Sequence, residues 1–108
     1  MANTFKLKTK ANVGVSTTNV YVVPSATTTV VIGVTLANTS GSSITVGVGV
    51  TRAASDDVKL MKNVPIPQGS SFEFMAGNKV VLETTDTLTV ESDVNNSLDV
   101  ALTIMEIT

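Results

Sequence analysis

Apolar residues recur at every second position along much of this chain, and no stretch of ten or more residues places them at helical spacing. Alternation sends successive side chains to opposite faces of a strand, so the core must be assembled from sheet faces. Residues 28–38 are the strongest case, with Val30, Ile32, Val34 and Leu36 expected on one face and Val31, Gly33, Thr35 and Ala37 on the other. Both sets are apolar or small, as in a central strand covered on its second side. Ile44, Val46, Val48 and Val50 make another clean inward face, and Leu98, Val100, Leu102 and Ile104 a third. Shorter strands are predicted around Phe5 and Leu7, residues 20–23, 58–61, 72–74, 80–82 and 88–90. Val, Thr and Ile supply most of these segments, and β-branched side chains fit a pleated surface better than a helix.

Turn chemistry separates the strands. Pro24 stops the second, Thr39-Ser40-Gly41-Ser42-Ser43 is a polar turn, and Ala76-Gly77-Asn78 reads as another. Asp56-Asp57 opens a short strand that Pro65 and Pro67 should break, because neither can donate to a ladder. Eight or nine short strands with turn-rich connections predict an all-β fold, an antiparallel β-sandwich or jelly-roll-like barrel, in one domain spanning 1–108. Leu36, Val48, Leu88 and Leu102 are expected near its centre, and Phe5, Phe72 and Phe74 are assigned to the core. With 43% hydrophobic and 15% charged residues, the chain lies far from the composition of disorder.

The residue inventory narrows the chemistry. There is no histidine and no cysteine, which removes Ser–His and Cys–His nucleophiles, thiolate metal sites and disulfides. Glu83 with Asp86, or Asp56 with Asp57, could be read as a carboxylate pair for glycoside hydrolysis. The preferred role for these aspartates is turn capping, since Asp bonds neighbouring backbone amides. No run of oxygen ligands with a pivoting glycine suggests a calcium loop. The expectation is therefore no enzyme activity, no cofactor and no metal. Few aromatics are available for a sugar-binding platform, so a carbohydrate- or receptor-binding module is only an alternative. A net charge of −2 without a basic stripe argues against nucleic acid, and no apolar run suggests a membrane span or export signal. The missing cysteines also lean toward folding in a reducing cytoplasm.

Attention thus moves to surfaces, and three stand out. Lys6, Lys8 and Lys10 alternate in the first strand, while Glu83, Asp86, Glu91, Asp93, Asp99 and Glu106 follow one another without a basic residue among them. The preferred reading is a solvated lysine-rich edge strand, which blunts edge-to-edge association. The sharper one sets this strand against the acidic C-terminal strand, in the same subunit or a neighbour. Gly47 and Gly49 share a face with Thr45 and Thr51. They give either local relief for a bulge or bulky neighbour, the preferred reading, or a flat strip for a second subunit. Pro65-Ile66-Pro67 is a stiff connection, with Ile66 tucked against the core edge or offered to a partner.

Several segments also resemble small virion structural proteins of tailed bacteriophages, especially cyanophages. They are Val22-Val23-Pro24-Ser25-Ala26-Thr27-Thr28-Thr29-Val30-Val31-Ile32-Gly33-Val34-Thr35-Leu36-Ala37-Asn38, then Lys62-Asn63-Val64-Pro65-Ile66-Pro67-Gln68-Gly69-Ser70-Ser71, then Gly77-Asn78-Lys79-Val80-Val81-Leu82, with Asp86, Ser92-Asp93 and Ser97-Leu98-Asp99. The matching positions are turn and core signals, and they carry no catalytic or metal residue to transfer. The resemblance implies a non-enzymatic particle component made in the host cytoplasm. A capsid decoration (cement) protein is the foremost expectation, with a neck, tail or fibre-base protein as the alternative. Its partners would be the major capsid protein or neck and tail proteins, together with further copies of itself.

Overall fold

The computed structural model describes residues 2–52, 56–74 and 80–108. The predicted turn at residues 76–78 lies outside them. Among the described residues nine strands are formed: β1 (Asn3–Val13), β2 (Thr18–Val22), β3 (Thr28–Asn38), β4 (Ile44–Thr51), β5 (Asp57–Ile66), β6 (Ser71–Phe74), β7 (Val80–Leu82), β8 (Thr87–Ser92) and β9 (Leu98–Ile107). All ladders are antiparallel. One sheet has the order β1-β9-β3-β6, with β7 pairing the other half of β3, and the second has the order β2-β8-β4-β5. The chain crosses between sheets at most of its connections, which is the winding of a jelly roll.

The core lies between the two sheets. Leu36, Val48, Leu88 and Leu102 are all fully buried, joined by Ile44, Leu82, Leu98 and Ile104. Each such side chain contributes about 1.5–3 kcal/mol through its removal from water. Among the described residues, no buried side-chain nitrogen or oxygen lacks a hydrogen-bond partner. Asn38 donates from Nδ2 to the carbonyls of Ser42 (2.8 Å) and Ile66 (2.9 Å), while its Oδ1 accepts from the Ser40 amide and hydroxyl. That one side chain fixes the polar turn after β3 and ties it to the end of β5. Ser92 and Ser97 bond through their hydroxyls at 2.7 Å, closing the turn between β8 and β9.

Three details depart from simple alternation. In β3 a register shift between Val31 and Gly33 changes the phase of the strand. Thr29 and Val31 face inward before it and Val34, Leu36 and Asn38 after it, so Val30 and Ile32 belong to the outer side. Second, Pro65 does not end β5: it pairs with Thr45, and the strand continues to Ile66. β5 is the outermost strand of its sheet, so a residue without an N–H is tolerated on its open side. Third, Phe5 is 69% exposed and Phe72 is 37% exposed. Phe5 occupies the outer face of an edge strand, and Phe72 sits on the short edge strand β6.

Candidate interaction surfaces

The lysine strand has the most specific geometry. β1 pairs antiparallel with β9, with Lys6 opposite Ile104, Lys8 opposite Leu102 and Lys10 opposite Val100. Directly paired residues share a sheet face. The lysines therefore stand on the same side as the buried residues of β9, whereas Phe5 and Leu7 point outward. β1 can place cations there because it closes one side of the sandwich beside β2, the outermost strand of the opposite sheet. Lysine stems span that gap while their ammonium groups reach water.

Lys6 ends 2.8 Å from Glu106, whose side chain is only 7% exposed. Tyr21 of β2 donates its hydroxyl to Glu106 at 2.5 Å and lies 2.8 Å from the Thr29 hydroxyl. Lys8 approaches the face of the same tyrosine ring, 5.9 Å from its centre. The sharper of the two lysine readings thus has a concrete form within one subunit, since the basic first strand lies against the acidic last one. Lys6, followed by Tyr21, holds the Glu106 carboxyl below the usual carboxylate range. Burial, followed by the hydrogen bond to Glu106, pushes the Tyr21 phenol up to about 12. The cluster acts as a polar clasp joining β1, β2, β3 and β9 across both sheets.

The outer face of the same sheet carries an apolar row. Phe5 is paired with Met105, Met105 with Val30, and Val30 with Val81, one rung across four strands. Phe5, Leu7 and Val81 are 69%, 64% and 58% exposed. Sequence reading missed this row because it assigned Phe5 to the core and Val30 to the inner face. Its signal was visible only as Phe5 and Leu7 alternating with the lysines of β1.

Gly47 and Gly49 are buried by the chain itself. A side chain on Gly49 would start 3.0 Å from the Val58 carbonyl and 3.3 Å from the Thr89 hydroxyl, while one on Gly47 would meet Glu91 and the Met61 carbonyl at 3.4 Å. Register shifts between β4 and β5 fall at this strip, as the relief reading expects. Lys59 and Glu91 form an ion pair at 2.7 Å beside it. Open grooves of about 270 Å³ and 170 Å³ touch Gly47 and Gly49 respectively, the larger with Lys62, Glu91 and Asp93 in its lining. In the proline segment, Ile66 is 1% exposed and its carbonyl accepts from Asn38. The side chain is therefore seated in the core between the exposed Pro65 and Pro67.

Of the carboxylates considered for chemistry, Glu83 and Asp86 have structural partners. Asp86 accepts from the Glu83 amide at 2.9 Å and from Arg52 Nε at 3.2 Å, and Arg52 also bonds Glu83. Asp93 accepts from the Thr45 amide at 2.9 Å. Asp56 and Asp57 are exposed. Among the described residues, no group of three or more potential ligands is placed to hold a metal, and no helix is long and apolar enough to cross a membrane.

No family model and no curated protein matches the chain. A solved structure described with the words "Bacillus endospore appendages form a novel family of disulfide-linked pili" shares the fold. It matches with a TM-score of 0.59 at 10% identity, over 99% of this chain and 87% of that one. The present chain has no cysteine, so it cannot form the disulfide links named for those pili.

Proposed function

We propose that this protein is a non-enzymatic structural subunit that works in many copies within an assembled particle, and that the particle is a tailed-phage virion. The observation that carries this reading is the apolar row Phe5–Met105–Val30–Val81 on the outer face of a rigid sandwich. Contiguous exposed apolar surface is uncommon on soluble monomers and marks contact sites. Behind it lies the buried core, and Lys6 and Lys8 of β1 are engaged at Glu106 and Tyr21, so the strand that carries Phe5 is tied to the sandwich. The segment resemblance to phage virion proteins supports a capsid decoration role, with the major capsid protein as the underlying partner.

The shared fold with an appendage pilus structure supports a second reading, a tail or filament subunit. Quantitative mass spectrometry of purified particles separates the two. Decoration predicts copies in proportion to the major capsid protein, whereas a tail or neck role predicts a small fixed number. Absence of the chain from washed particles would overturn both.

A further inference from the structure

We propose that residues 3–10 of β1 exchange between copies of this chain, each leaving β9 of its own sandwich to pair with β9 of a second copy. The proposal rests on the many-copy reading and gives it an interface.

The first support is what β1 does not bury. Of its eleven residues only Val13 is buried, and Val13 is also the only β1 residue in the hydrophobic core. Residues 3–10 could leave with the ladder, the Lys6–Glu106 pair and the Lys8–Tyr21 contact, taking no member of the hydrophobic core with them. The second support is a seam that marks where the strand would part. The register shifts between Lys10 and Val13, and Asn12 between them has a left-handed φ of 58°. Beyond the seam the chain is pinned: the Val13 carbonyl accepts from Ser97 at 3.1 Å and the Gly14 carbonyl from Ser92 at 3.0 Å. Gly14 also packs so closely that a side chain there would start 2.9 Å from Asn95 Oδ1. The Asn12 amide also donates to Asp99 Oδ1 at 3.0 Å, so the hinge falls at residue 11, just before this anchored stretch.

Charge complementarity selects the occupant. With residues 3–10 gone, the β9 edge presents Glu106, whose cation partner in the closed form, Lys6, stands diagonal to its own rung. A β1 strand from a second copy supplies Lys6 in that place and restores the whole ladder in the same register. Two intact β1 edges laid antiparallel would instead set lysine against lysine on one face. Copies are thus steered toward exchange and away from edge-to-edge abutment. Because the closed and exchanged forms share their contacts, local concentration decides between them, and tethering copies side by side raises it to about the millimolar range.

The absence of cysteine makes a clean test possible. Leu7 and Thr103 are exposed and directly paired, so Leu7→Cys and Thr103→Cys variants can be made separately without disturbing the core. The two chains, distinguished by isotope label, are mixed at high concentration, diluted, and treated at once with a short bis-maleimide. Exchange predicts a heterodimer linked between positions 7 and 103, rising about tenfold when incubation is raised from micromolar to millimolar. No such heterodimer above the level of unincubated mixtures would overturn the proposal. So would links found only between two Leu7→Cys chains, which would mean that copies meet through the outer face. A second mixture pairs Lys6→Glu with Glu106→Lys chains. Each alone sets like charges together, whereas exchange restores both ion pairs, so a 1:1 dimer is expected only on mixing. A null result in the thiol experiment with the protein abundant in particles would sink the exchange alone and leave the many-copy reading standing.

Discussion

β1 and β9 are bonded to each other along nearly their whole lengths, yet they contribute to the molecule in opposite ways. β9 lies between β1 and β3, and alternate residues Leu98, Val100, Leu102, Ile104 and Glu106 are buried. β1 has the same alternation, but its inward positions hold lysines and its outward ones Phe5 and Leu7. The shared ladder sets geometry, while the side chains on each rung decide how much stability that rung supplies. A regular edge strand can therefore be nearly neutral to the core and still define a surface.

Substitutions along shared rungs sharpen this contrast. Leu102→Ala in β9 should have the largest effect, destabilising by about 3 kcal/mol in denaturant unfolding because it opens a cavity in a fully buried site. Glu106→Ala should cost about 2 kcal/mol by leaving the Tyr21 hydroxyl and Lys6 without their shared acceptor. Lys6→Ala should cost about 1 kcal/mol, since its half of the pair remains 43% exposed and screened. Leu7→Thr should fall within about 0.5 kcal/mol of the parent, as expected for an exposed strand position. If Leu7→Thr instead matched Leu102→Ala, the contrast between the strands would collapse.

The clasp also predicts a pH dependence. Lys6, and after it Tyr21, lower the Glu106 pKa, so its contribution is present above the unfolded carboxylate value of about 4.3 and is lost as pH falls through the lowered value. Tyr21 is shifted the opposite way, to about 12. Its contribution is present below the unfolded value of about 10 and is lost as pH rises toward the folded one. Thermal midpoints measured across pH should fall at both limbs, and Glu106→Gln should flatten the acid limb.

The all-β class and the identity of the central core residues were legible because β4 and β9 alternate without interruption. In β3 the same rule failed beyond one bulge, since a register shift has no signature in residue type and inverts every face on one side of it. For β1, period two correctly separated lysines from Phe5 and Leu7 but could not say which set faced inward. Hydrophobicity alone points the wrong way there, because the inward side of the strand lies over the Tyr21 ring and the Glu106 carboxylate, which lysine side chains can meet. Sequence alone makes Pro65 a break, because it does not show that the residue lies on an outermost strand. The glycine strip was legible as relief in β4, but the atoms needing the space come from β5 and β8.

Tyr21 is the chain's single tyrosine, and there is no tryptophan. Its phenol is therefore a built-in optical gauge confined to one corner of the sandwich. A change in its near-ultraviolet signal would register the departure of Lys8 from its ring or of Glu106 from its hydroxyl while far-ultraviolet dichroism still reported an intact sheet. Local opening and global unfolding could thus be followed as two separate signals in the unlabelled protein.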